Sequence, residues 1–154
     1  MGSLEQILRQ TVEQFRSETG TIHTLDPEKQ LLHLAAHIGL PPQLLEVVKT
    51  IPVGKGIAGQ VVAQARPVTI CNLQTDSSGI AKPGAKQTGV GGALCVPILA
   101  NSKIIGTFGI GTVRPYEYTA DETRQLEDIA NSLGEIIKQN RPAGRDEGAS
   151  PANQ

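Results

Sequence analysis

The chain has 154 residues, 14 lysines and arginines against 15 aspartates and glutamates, 38% hydrophobic residues, and 3% aromatic residues with no tryptophan. This length fits one domain with one core, and 17 glycines with 10 prolines fall short of a low-complexity composition. A net charge of −1 lacks the basic excess of a nucleic-acid or anionic-membrane binder, and so few aromatic residues give no base-stacking platform.

From Ser3, the residues Leu4, Ile7, Leu8, Val12 and Phe15 recur at helical spacing, with Ser3 and Gln6 placed as a capping-box pair. A helix is predicted over about 3–18, ended by Gly20. Thr21 to Leu25 and Leu31 to Ala36 flank Asp26-Pro27-Glu28-Lys29, the pattern of a β-hairpin. Pro41 or Pro42 opens a short helix through Leu44, Leu45, Val47 and Val48, and the chain then turns at Ile51-Pro52-Val53-Gly54. Ile57 to Ala65 reads as a second short helix and Pro67 to Cys71 as a strand.

Asn72 to Gly89 is the least regular internal stretch, of a length that compact domains use for functional loops. Ala93 to Leu99 and Ile104 to Gly111 form a second predicted hairpin across Ala100-Asn101-Ser102-Lys103. Thr119 and Glu122 form a capping box before a long helix carried by Leu126, Ile129, Ala130, Leu133, Ile136 and Ile137 to about Gln139. Residues 140–154 have no periodic apolar residues and are expected to be a disordered tail after a single domain at 3–139. Strands that come in hairpin pairs, framed by terminal helices, predict an α+β fold: an antiparallel sheet of five to six strands with both terminal helices on one face.

No run of about 18 apolar residues is present, so no membrane span is expected. Two cysteines and no secretory-type opening point to a reducing cytoplasm.

Several motifs touch on chemistry. Gly54-Lys55-Gly56-Ile57-Ala58-Gly59 matches G-x-G-x-x-G, but Ile51-Pro52-Val53 is too short and proline-broken to be the buried parallel strand a dinucleotide fingerprint needs. The plainer reading is a glycine turn into a helix whose first amides favour an anion. His33 and His37 have i, i+4 spacing, yet in a strand their α-carbons lie about 13 Å apart, too far to share one ion, so no metal is expected. Cys71 and Cys95 lie outside any C-x-x-C motif and read as small buried hydrophobes, with a dithiol/disulfide cycle as the alternative. Gly106, Gly109 and Gly111 interrupt a good strand and mark either curvature over a pocket or close backbone packing. No nucleophile elbow, P-loop or H-E-x-x-H motif occurs.

Taken in order, Thr19 to Asp26, Ile51-Pro52-Val53-Gly54-Lys55-Gly56-Ile57-Ala58-Gly59, Arg66-Pro67-Val68, Ala93-Leu94-Cys95-Val96-Pro97-Ile98, Ile105-Gly106-Thr107 and Tyr118 to Glu122 resemble a GAF domain over about residues 3–139. The resemblance implies a small-molecule pocket on the sheet face opposite the terminal helices, under short helices and the Asn72–Gly89 loop. Departures from family patterns narrow the ligand. Thr112-Val113 replace the Asn-Lys pair of cyclic-nucleotide-binding members, and Tyr118 lies two residues short of Asp121-Glu122. The loop has no cysteine or histidine for a covalent bilin, and Ala58 stands where the free methionine-(R)-sulfoxide reductases carry a cysteine.

The expected function is a non-catalytic, ligand-binding sensory domain in signal transduction, with the cofactor or ligand unidentified. A thiol redox enzyme and a dimerisation module are the alternatives. The candidate pocket polar groups are Asn72, Asp76, Lys82, Thr88 and Thr112, with Ile80, Leu94 and Val96 as apolar lining. The expected partners are a small molecule, a separate output protein, and a second copy paired through the terminal helices, with Leu126, Leu133 and Ile137 of the last helix against the partner's first helix.

Overall fold

The computed structural model describes residues 4–40, 42–70 and 91–140. Its elements in chain order are α1 (Leu4–Gln14), β1 (Thr19–Asp26), β2 (Leu31–Ile38), α2 (Pro42–Val48), β3 (Thr50–Pro52), α3 (Gly56–Gln64), β4 (Val68–Ile70), β5 (Ala93–Ala100), β6 (Lys103–Gly111) and α4 (Ala120–Asn140). The strands form one six-stranded antiparallel sheet in the order β3-β2-β1-β6-β5-β4, so the expected α+β architecture is present.

Side chains alternate between the two faces of a strand, and cross-strand neighbours share a face. On the helix face, Ile22, Phe108 and Val96 stand in one register row and Gly20, Ile110 and Leu94 in another. These rows pack with Leu8, Val12 and Phe15 of the first helical segment and with Leu126, Ala130, Leu133 and Ile137 of α4 in one buried cluster. Complete burial of side chains such as Phe108, Leu126 and Leu133 contributes roughly 1.5–3 kcal/mol each. Leu126, Leu133 and Ile137 are therefore consumed by the chain's own core. Their helical spacing is accounted for by this core.

Several boundaries differ from the sequence reading for local reasons. The first helix ends at Gln14 instead of about 18, because Arg16 adopts φ +53°. Ser17 N–H bonds the Val12 carbonyl and Arg16 N–H the Glu13 carbonyl, a Schellman ending built without glycine. The segment read as a turn at Ile51 contains β3, which pairs Leu31, Leu32 and His33 with Pro52, Ile51 and Thr50 on the sheet edge, where proline is tolerated. Strands β5 and β6 run to Ala100 and Lys103, joined through Asn101 and Ser102 at φ +53° and +65°, as a two-residue hairpin turn requires. The α4 capping box forms as predicted: Glu122 N–H donates to Thr119 Oγ1 at 3.1 Å and Thr119 N–H to Glu122 Oε1 at 2.8 Å. The Ser3 cap and the 141–154 tail lie outside the described residues.

Gly134 marks a close approach of α4 to the sheet, since a β-carbon there would overlap the Leu99 carbonyl oxygen. Replacing glycine by alanine inside a helix ordinarily stabilises by about 1 kcal/mol, whereas overpacking against a fixed backbone costs about 1–3 kcal/mol. Gly134→Ala is expected to lower the denaturation midpoint. A raised midpoint would show that α4 does not rest on β5 at this point.

Candidate functional site: a cavity between the sheet and the short helices

Small side chains occupy the sheet face opposite the terminal helices. Thr21, Gly109 and Cys95 form one cross-strand row, and Thr19, Gly111 and Ala93 form the next. Above them stand Val47 and Val48 of α2, Thr50 to Pro52 of β3, and Lys55 to Ala58 at the start of α3, enclosing a cavity of about 400 Å³. A volume in this range suits a small ligand.

Three local features hold the walls. Gly54 turns at φ +90°, its amide bonds the Gly59 carbonyl, and its own carbonyl accepts from Gln60 Nε2 at 2.8 Å. Gly59 has no room for a β-carbon, which would come within 2.6 Å of the Pro52 carbonyl oxygen. The G-x-G-x-x-G string is thus accounted for by a turn and a close helix–strand contact. The third feature is His23, whose side chain is 2% exposed and whose Nε2 lies 2.9 Å from the Val48 carbonyl, tying α2 to β1. A carbonyl only accepts, so Nε2 carries the proton and Nδ1 is left as an acceptor. Nδ1 is buried without a hydrogen-bond partner, and His23 stands in register with Thr107 of β6.

The electrostatics of the cavity are sparse. Lys55 is the one side chain with a full charge among the described residues around it, and no carboxylate or benzenoid ring borders it there. Lys55 also precedes α3 without a side-chain cap, so the first-turn amides of Gly56, Ile57 and Ala58 have no intrahelical acceptor. Burial pushes the Cys95 thiol up to about 12, and a hydrogen bond with the Thr107 side chain acts in the other direction. Among the described residues no group of three His, Cys, Asp or Glu side chains could hold a metal ion. His33 pairs with Thr24 and His37 with Thr21, and the register shift of β2 places these two histidines on opposite faces of the sheet.

The sequence-derived site residues distribute unevenly. Asn72, Asp76, Ile80, Lys82 and Thr88, like Cys71, lie outside the described residues. Leu94 borders the cavity and belongs to the helix-side core. Val96 belongs to that core and is not among the cavity residues, because it pairs with Phe108 on the helix face. Thr112 is fully buried, and its hydroxyl accepts from Gly92 N–H at 3.1 Å and donates to the Arg114 carbonyl at 2.6 Å. It braces the strand end and does not border the cavity. Of the three strand glycines, Gly109 and Gly111 line the cavity, while Gly106 is pressed against the His23 carbonyl. His23, Thr19, Thr21, Thr50, Ile51 and Lys55 were not singled out as pocket residues from the sequence.

The sequence profile described as GAF domain matches residues 3–138. The chain belongs to the GAF domain family. Among solved structures, the GAF domain of an Acinetobacter phosphoenolpyruvate-protein phosphotransferase superposes with a TM-score of 0.75 at 20% identity, over 89% of this chain and 80% of that one. The corresponding GAF domain from Coxiella burnetii gives 0.75 at 19% identity, over 96% and 84%. The free methionine-R-sulfoxide reductase of Neisseria meningitidis, solved with its substrate, gives 0.72 at 18% identity, over 88% and 75%. These likenesses show a shared GAF fold, commonly a sensory or regulatory one. Sequence comparison with curated proteins gives no match. No helix among the described residues is long and apolar enough to cross a membrane.

Burial is the larger influence on His23 and lowers its pKa below the ordinary 6.5; the bond to Val48 opposes this, and His33 adds a small further lowering. As pH falls through 6.5 the unfolded chain takes up a proton that the folded chain refuses, so this contribution is complete above pH 6.5 and declines below it. Thermal melts between pH 7.5 and 5 should show a steeper loss of stability for the wild type than for His23→Gln. Equal slopes would mean that another group carries the acid sensitivity.

Proposed function

We propose that the chain is a non-catalytic sensory domain that binds a small molecule in the cavity between the sheet and α2–α3. The observation that carries this reading is the lining itself: a ligand-sized space with aliphatic walls, threonine hydroxyls and one cation at its rim. Such a wall suits a compact aliphatic molecule that is neutral or singly negative. A cationic ligand would find no carboxylate among the described residues, and the flat base of a cyclic nucleotide or a bilin would find no benzenoid ring to stack on. The Asn72–Gly89 loop, with Asp76 and Lys82, belongs to this reading as a contributor of further polar groups.

The change on binding passes to a separate output protein or a second copy. Association through the terminal helices would use outward-facing residues of α4, not its buried leucines. The likeness to a reductase solved with its substrate also brings the thiol enzyme into view. Its support from Cys95 is poor: burial pushes the thiol well above its ordinary pKa, and the thiolate is the reactive form.

Gly109 provides a clean test. The nearest atoms to a β-carbon there are Thr21 Oγ1 at 3.2 Å and Cys95 side-chain atoms at 3.6 and 3.8 Å, so valine, a good strand former, needs a shift of a few tenths of an ångström at the Thr21 hydroxyl and projects into the cavity floor. Thermal shift with four- to six-carbon acids, their amides and their amines is expected to give wild-type stabilisation by acids and amides. A ligand at ten times its Kd adds about 1.4 kcal/mol, a rise of several degrees. Gly109→Val should abolish the rise. A panel in which no member distinguishes wild type from Gly109→Val, or in which the amines stabilise best, would overturn the proposal.

A further inference from the structure

The inner end of the cavity lies one residue from a junction that holds both terminal helices. Thr19, Gly111 and Ala93 form the last register row of the cavity floor. The next residues along the three strands are Glu18, Thr112 and Gly92, and all three are cross-linked. Thr112 N–H bonds the Gly92 carbonyl at 2.9 Å, Gly91 N–H the Thr112 carbonyl at 2.5 Å, and Gly92 N–H the Arg114 carbonyl at 3.2 Å. The Thr112 hydroxyl closes this lattice by bridging Gly92 N–H and the Arg114 carbonyl. There is no slack: a β-carbon on Gly91 would come within 2.5 Å of the Arg114 backbone, and one on Gly92 would overlap the Tyr116 carbonyl.

Each terminal helix is tied to this lattice by side chains. Just past α1, Glu18 Oε1 accepts from Val113 N–H at 2.7 Å, Glu18 pairs with Arg114 at 3.9 Å, and Ser17 Oγ lies 2.7 Å from Tyr118 Oη. At the start of α4, Tyr116 Oη donates to Glu122 at 2.8 and 3.0 Å, the same carboxylate that caps the helix through Thr119 N–H. The two tyrosine rings meet edge to face at 4.9 Å, with the Arg114 guanidinium 5.3 Å from the Tyr116 ring centre.

We propose that this junction is the mechanical coupling between the cavity and the terminal helices, with the Thr112 hydroxyl as the pin that makes it rigid. The inference rests on the cavity being the binding site. Hydrogen-bonded strands are stiff along their length, so an occupant that displaces the Thr19–Gly111–Ala93 row moves Glu18, Thr112 and Gly92 with it. The lattice carries that displacement to the end of α1 and the first turn of α4 together. Thr112 is thus a positioning residue that touches no ligand.

The chain reports on this junction without a label, because its only two tyrosines are Tyr116 and Tyr118 and it has no tryptophan. Gly109→Val occupies the cavity floor whatever the natural ligand is, so the coupling can be tested independently of ligand identity. Tyrosine emission and hydrogen exchange of residues 112–124 are measured for wild type, Gly109→Val, and Gly109→Val combined with Thr112→Val or Thr112→Ser. Occupying the cavity floor is expected to change exchange in this segment about fivefold or more and to alter tyrosine emission. Thr112→Val should remove the response relative to a Thr112→Val protein with Gly109 intact, and Thr112→Ser, which keeps the hydroxyl, should retain it.

If Gly109→Val abolishes ligand stabilisation yet leaves this segment and its tyrosines unchanged, the coupling is wrong while the binding reading stands. A full response persisting in the Thr112→Val background would overturn the role of the hydroxyl. Should Thr112→Val fail to fold, the Gly109→Val comparison alone decides the coupling and the Thr112→Ser protein decides the pin, since loss of its response would overturn that role.

Discussion

The alternation of side chains along β1, β6 and β5 is the constraint on which the other features depend. Because the period is two, each central strand must spend one set of residues on the terminal helices and the other on the space beneath the short helices. Bulky residues such as Ile22, Phe108 and Val96 fall on the first set; Thr21, Gly109 and Cys95 fall on the second. The helix face closes into a core with α1 and α4; on the opposite face Leu25, Leu32, Val61 and Val68 close a second, smaller cluster with α3, and the glycine, threonine and cysteine row leaves the cavity beside it. A slip of one residue would expose Phe108 and bury the small row, removing the core and the cavity together.

The cavity is built at some cost. His23 is buried with an acceptor nitrogen unpaired, which opposes folding by roughly 1–3 kcal/mol, yet its other nitrogen fixes α2 over the sheet. Gly59 lets α3 approach the Pro52 carbonyl closely enough to set the wall. The same geometry buries Cys95 at the base of the site, and that burial raises its thiol pKa.

Features carried by local chemistry were legible in the sequence. The two hairpins, the Thr119–Glu122 cap and the α4 periodicity rest on contacts within a few residues, and they appear close to where the pattern placed them. What failed needed tertiary information. Three residues containing Pro52 carry no strand period, and a left-handed Arg16 carries no glycine signal. Val96 was assigned to the pocket because it lies on an apolar strand, but a strand apolar on both faces does not declare which face is which. The polar and small residues of the cavity floor are threonines, glycines and a lone histidine, types whose meaning comes only from the cross-strand rows. Thr112 was singled out as a polar group near the pocket, and its role in bracing the strand end follows from bonds to Gly92 and Arg114 that no spacing rule encodes.

The division of labour between the two sheet faces is tested most directly by methyl NMR with the acid or amide that stabilises the protein best. The largest shift changes are expected at Val48, Ile51, Ile57 and Ala58 around the cavity, with Leu8 and Leu133 at the centre of the helix-side core little affected. Changes concentrated on Leu8, Leu133 and their neighbours would contradict the account, because they would place the ligand on the face that the core already fills.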